Sequence, residues 1–273
     1  MANIVNQYGQ VKVGVRVASG GGGIDTDAQA FITAASITDS TQQSAINTLV
    51  TQLKGYGIWT KLKAVYPFVG GTASSHKFNL KDPRDLDAAF RLQFYGGWTH
   101  SSTGALPNGT TAYADTLFVP NSNLSVNSAH LSKYNRTNDL VGNKLDGVYD
   151  SYNNTLYQIN YPVATTNIGN VATMISYVQT DTRGLFTTSR TSSTSVKTYK
   201  NSTQQGATNT TLNSVLPAKK VYLAARNDDN VDPYFYNTYE TAFFSLGDGL
   251  SDTETTNMYT AVQLFNTTLN RQV

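Results

Sequence analysis

Beyond Gly142, short β-forming runs arrive about every ten to fifteen residues, each closed by Asn, Gly or Ser. "GVYDSYNNTLYQINYPV" carries a strand on either side of its "YNN" turn. "NVATMISYVQT", "GLFTTSRTSS", "TSVKTYKNS", "KKVYLAARN" and "FYNTYETAFFSLG" follow. Each strand leaves backbone groups that only a neighbouring strand can satisfy. A chain punctuated in this way is expected to close into a β-sandwich.

The stretch before it, Val65 to about Thr137, reads as strand and loop. "AVYPFVGG", "AFRLQFYGG", "DTLFVP" and "HLSKYNR" are the strand candidates, and "GGWTHSSTGALPNGTTAYAD" reads as a long loop. Residues 24–66 read differently. In "DSTQQSAINTLVTQLKGYG", Asp39 is placed to cap a helix, with Gln42 three residues on. Ile46, Leu49, Val50 and Leu53 then form one apolar stripe, and Gly55 stops the helix. "TDAQAFITAAS" predicts a shorter helix with Phe31 and Ile32 inward. "GIWTKLKAV" adds a turn or two that buries Trp59 and Leu62.

At the other end, "SDTETTNMYTAVQLFNTTL" opens on a capping box, Ser251 with Glu254. Met258, Val262, Phe265 and Leu269 follow at helical spacing. The expected fold is mainly β: a jelly-roll sandwich with a helical segment at its N-terminal side and a C-terminal helix laid over a sheet. The expected division is an arm and glycine linker (1–23), a helical segment (24–66) and the sandwich with its closing helix (67–273).

The arm is "QVKVGVRVASGGGG". Val11, Val13, Val15 and Val17 alternate with smaller or polar residues, and Gly20 to Gly23 uncouple them from the helical segment. Two readings stand. The strand joins the domain's own sheet, or it anchors by adding to the sheet of another chain.

Composition narrows the chemistry. A net charge of +2 with 14% charged residues gives no electrostatic case for nucleic acid or an anionic membrane. No apolar run is long enough to span a bilayer, and the first ten residues lack a signal-peptide pattern. With no Cys, disulfides and thiolate metal sites are excluded. Of the acids, only Glu240 and Glu254 are Glu, and no E-x-D-x-E strand pattern exists. His76, His100 and His130 show no zinc spacing, and no G-x-S-x-G elbow is present. Asp228, Asp229 and Asp232 share a loop that could hold Ca²⁺, but their spacing matches no EF-hand. No metal and no cofactor is therefore assigned.

One loop carries the residue types a sugar site needs. Trp98, His100, Asn108, Tyr113 and Asp115 combine rings that stack on a pyranose face with groups that bond hydroxyls. The same rings would equally serve to pin a long surface loop.

Two resemblances rest on particular phrases. "KVYLAARN" followed by "YETAFFSLGDGLSDTETTNMYTAVQLFNTTL" resembles the end of laminin-G-like, concanavalin A-like jelly rolls, where a short helix follows the last strand. "VKTYKNSTQQ" resembles that family's "Y-x-N-G" strand, with Ser202 in place of the glycine; the family's calcium motif is not recognisable. In the first half, "KAVYPFVGGTASSHKFNLKDPRDLDAAFRL" and "GGWTHSSTGALPNG" look like a block that recurs in tailed-bacteriophage virion proteins. That resemblance implies a structural protein on the particle surface, assembled in the host cytoplasm. Its implied partners are other virion proteins met through the arm, further copies of itself in a trimer, and host-surface polysaccharide. The competing class is a polysaccharide-cleaving enzyme on the same scaffold. It needs paired carboxylates in a cleft, and Glu240 has no acidic partner two residues away. The chain is expected not to be an enzyme.

Overall fold

The computed structural model describes residues 23–142, 144–150, 154–160, 163–170, 174–210, 215–228 and 233–273. The valine arm, most of the "YNN" turn, Asp229 and Asp232 lie outside the described residues.

Local signals set the helices. Asp25 accepts from the Asp27 N–H at the start of α1 (Thr26–Ala34), and Asp39 accepts from the Gln42 N–H at the start of α2 (Ser40–Gly55). The stripe Ile46, Leu49, Val50 and Leu53 is fully buried. A single 3-10 turn, Trp59–Lys61, buries Trp59 before the chain turns extended in β1 (Leu62–Tyr66). The helical segment therefore ends at Lys61, with residues 62–66 a strand. Val65 must face the helices while Ala64 and Tyr66 face the opposite sheet, an alternation only a strand provides.

Then follow α3 (Ala73–His76), β2 (Gln93–Tyr95), β3 (Trp98–Ser101), β4 (Gly104–Pro107), β5 (Tyr113–Asp115) and α4 (Pro120–Asn123). After these come β6 (Ala129–Asn135), β7 (Lys144–Tyr149), β8 (Asn154–Asn160), β9 (Val163–Asn170) and β10 (Ile175–Val178). The remainder is β11 (Gly184–Ser192), β12 (Ser195–Lys200), β13 (Thr203–Asn209), β14 (Tyr222–Leu223), β15 (Arg226–Asp228), β16 (Thr241–Gly247) and α5 (Asp252–Thr268).

Among the described residues the first sheet runs β13-β12-β11-β6-β16-β4-β3, with β1 also on β16. The second runs β10-β9-β8-β7-β14-β5-β2, with β15 also on β7. Pairing is antiparallel except for the short β15–β7 contact. This is the mainly-β sandwich the sequence predicts.

It has two cores. Between the sheets lie Tyr66, Phe118, Leu131, Val148, Leu156, Leu223, Phe244 and Leu246. On the outer face of the first sheet, α1, α2 and α5 pack over Tyr134, Leu185 and Phe243. The closing helix thus covers a sheet face together with the N-terminal helices. Met258, Val262 and Phe265 are buried there and Leu269 is half-buried. Arg271, fully buried just past α5, donates to the Pro67, Phe68 and Ala242 carbonyls and to Asn266. Within the sandwich Lys133 and Asp146 form a fully buried ion pair, and Asp146 also accepts from the Ala224 N–H and Asn237. Those added bonds matter, because a buried pair is otherwise costly to desolvate.

Three strand assignments change. The expected long loop 96–115 is mostly paired: Trp98 faces Pro107 and His100 faces Ala105 in a hairpin on the first sheet. Gly104 sits at φ +151° where a Cβ would come within 2.4 Å of the Thr241 carbonyl, so the hairpin can meet β16 only with glycine there. "DTLFVP" is the reverse case. The strand β5 stops at Asp115, because Leu117 adopts φ +59°. The polar run "TQQGATN" forms edge strand β13, which its composition hides.

Candidate functional site

The chain crosses from the second sheet to the first at Gly96 and Gly97, between β2 and β3. Gly96 has φ +71° and no room for a Cβ, which would lie 2.1 Å from the Thr111 carbonyl oxygen. The crossover therefore presses against the turn that enters β5. Trp98 locks it, its Nε1–H donating to the carbonyls of Tyr95 (3.0 Å) and Tyr113 (3.2 Å).

Trp98 also belongs to an aromatic cluster. Phe94 stands edge-on to Trp98 (5.3 Å) and to His100 (4.7 Å), and Trp98 stacks on His100 at 6.1 Å. His100 in turn meets His76, with their Nδ1 atoms 2.9 Å apart, so one ring donates and the other accepts. Burial, then the charges of His100 and Arg271, holds His76 down to about 3. Burial also lowers His100. Both rings are therefore neutral at pH 7.

The remaining two of the sequence's site residues are tied into the backbone. Asn108 Oδ1 accepts from the N–H groups of Thr110, Thr111 and Ala112, and its Nδ2 donates to Thr111 Oγ1. Asp115 is buried, accepting from the Leu117 N–H and from Lys220 Nζ. Trp98, His100 and Tyr113 are thus brought to one crossover, while Asn108 and Asp115 spend their polar atoms on the turns beside it.

The accessible chemistry lies one residue further out. Phe94 and Ala114 point between the sheets, so alternation sends Gln93, Tyr95 and Tyr113 to the outer face of the second sheet. There Tyr95 stacks on Tyr113 (4.9 Å, 12° between planes), and Tyr113 meets Tyr222 at 4.8 Å. The three rings stand side by side across β2, β5 and β14. The row ends at Tyr95, on the edge strand, and that residue is 44% exposed.

Polar groups flank it. Tyr95 OH donates to Gln93 Oε1 (2.9 Å), and Gln93 Nε2 donates to Asp87 Oδ1 (3.2 Å). Arg91 bonds Asp87 and Asp85, and Lys77 bonds Asp85. Sequence reasoning passed over Tyr95 and Gln93. The signal was the alternation in "QFY", readable only once the inward side of Phe94 is known.

Among the described residues, acids that come together share a cation: Asp85 and Asp87 on Arg91, Asp25 and Asp27 on Lys54. Glu240 accepts from Arg136 and Thr103, and Asp228 from Arg226. No three His, Asp or Glu side chains among the described residues group as metal ligands. Among them, too, no helix is long and apolar enough to cross a membrane.

No family model and no curated protein matches this chain. Solved structures do. Domain 4 of an extracellular arabinanase from Geobacillus stearothermophilus, solved with arabinotriose, aligns at 14% identity and TM-score 0.45, over 72% of this chain and 98% of that one. The binding domain of botulinum neurotoxin serotype D aligns at 12% identity and TM-score 0.49, over 75% of this chain and 52% of that one. A Trypanosoma rangeli sialidase aligns at 10% identity and TM-score 0.50, over 80% of this chain and 38% of that one. The chain thus spans about half of the toxin domain and less of the sialidase. At 10% identity and TM-score 0.50, the likeness to the sialidase shows the fold alone.

Proposed function

We propose that this protein is a non-enzymatic, glycan-binding structural protein on the surface of a tailed-bacteriophage particle. One observation carries the binding part. At the crossover between the sheets the aromatic rings are held rigidly and end on an exposed tyrosine face, while Glu240, Asp115 and Asp146 are consumed by internal partners. A rigid ring beside hydrogen-bonding groups suits a pyranose. Carboxylates locked by Arg or Lys do not suit hydrolysis, which needs one acid raised and a second one free.

The particle setting is supported by the phrases "KAVYPFVGGTASSHKFNLKDPRDLDAAFRL" and "GGWTHSSTGALPNG", which resemble tailed-phage virion proteins. An array of host-surface polysaccharides, paired with an assay for new reducing ends, tests both parts. Binding without release is the expected result. Release of reducing ends that Glu240→Gln abolishes would establish the polysaccharide-cleaving alternative instead.

A further inference from the structure

We infer that the open face of Tyr95 is a stacking subsite for one uncharged pyranose unit, completed by Gln93, Asp87 and Arg91. The inference rests on the glycan-binding reading and narrows it to one place and one class of sugar.

The geometry fixes the position. Tyr113 occupies one face of the Tyr95 ring, and Tyr113 is itself braced by Tyr222. The described contacts place no second ring on the other face of Tyr95. Among the described residues β2 is the edge strand, so that face looks past the end of the described sheet. A sugar there would be the next member of the row. Its C–H groups would meet the ring and its hydroxyls would meet water and the polar chain alongside.

The ring is also preorganised. Its backbone carbonyl is held by Trp98 Nε1, its hydroxyl by Gln93 and its inner face by Tyr113. Little freedom is left to lose on binding, which favours a weak ligand such as a single sugar unit.

The polar neighbours set the ligand's charge. Every described bond to Asp87 falls on Oδ1, from Arg91 and Gln93, so Oδ2 is open as an acceptor, and the Asp87 side chain is 61% exposed. Lys77 and Arg91 balance Asp85 and Asp87. The site therefore offers acceptors and donors for hydroxyls without a net field to draw in a uronate or a sialic acid.

Affinity electrophoresis in gels containing a neutral glucan, a neutral galactan or a polyuronate tests this. The wild-type chain is compared with Tyr95→Ala, Tyr95→Trp and Asp87→Ala, each first matched to wild type in melting temperature. The expected result is retardation by a neutral polymer only, weakened about tenfold or more by Tyr95→Ala and restored by Tyr95→Trp. Asp87→Ala should weaken it by a smaller factor. Retardation that Tyr95→Ala leaves unchanged would place the glycan elsewhere and overturn this inference alone. Retardation by the polyuronate only would overturn the charge argument. No retardation by any polymer would overturn the glycan-binding reading and this subsite with it.

Discussion

His130 shows how much a single buried side chain sets here. It sits inside the first sheet, Nδ1 against the Asp248 carbonyl (2.6 Å) and Nε2 against Ser245 Oγ (3.3 Å). Burial pushes it down to about 4, although the Asp248 carbonyl and the charge of Asp248 pull the other way. His76 is held lower still, at about 3. A histidine depressed in the folded state accepts its proton first in the unfolded chain. Stability is therefore complete above the unfolded value near 6.5 and is lost as pH falls from there toward 4. Each of the two buried rings should cost about 1 kcal/mol per pH unit within that window. Urea titrations between pH 7.5 and 4.5 check this. His130→Asn should flatten the slope while lowering the plateau, and an unchanged slope would show that the ring is not neutral in the fold. The sequence shows three scattered histidines; the register of β6 with β16 encloses His130, while α3 brings His76 against Phe68 and His100.

Elements whose signals are local were legible, and α5 is the clearest. Ser251 accepts from the Glu254 N–H while Glu254 accepts from the Ser251 N–H, as "SDTE" predicts. Glu254 also takes the Lys61 ammonium, joining the cap to the helical layer, a contact no local pattern reveals. Phe265 is buried between α5 and the sheet, beneath the Arg271 guanidinium. Phe265→Ala should cost about 3–5 kcal/mol, since neighbours on a packed sheet face collapse poorly into the space. Thermal melting reads this directly; a variant melting with the parent would remove the helix from the core. The β3–β4 hairpin was illegible for the opposite reason. It is joined to its sheet through Thr241 facing Ala105, residues far apart in the chain. Ser- and Gly-rich turns at that distance read as loop, so sequence alone places Trp98 and Tyr113 on a loop and gives no sign that Tyr95 is the exposed ring. Exposure of a strand residue depends on which neighbour faces inward, and that is set by pairing.

At the scale of the whole molecule, the question is what the valine strand near the N-terminus joins. The described core begins at Ala28 and closes in two layers, one between the sheets and one under the helices. Among the described residues, edge strands β13 and β3 of the first sheet and β10 and β2 of the second each have one partnered side. The sequence predicts a strand of alternating valines before Gly20 to Gly23; such a strand cannot satisfy its own backbone groups and would need an edge, in its own domain or in another chain. We expect pairing in another chain, either a second copy in a trimer or another virion protein. Deleting residues 1–18 should then leave the melting temperature within about a degree or two, because every described residue of both cores is retained. The same deletion should abolish oligomer formation in light scattering and incorporation into particles. A deletion that instead lowers the melting temperature by ten degrees or so, equivalent to more than about 2 kcal/mol for a domain of this size, would assign the strand to its own sheet. Loss of incorporation would then be a consequence of unfolding, and the arm would no longer account for assembly.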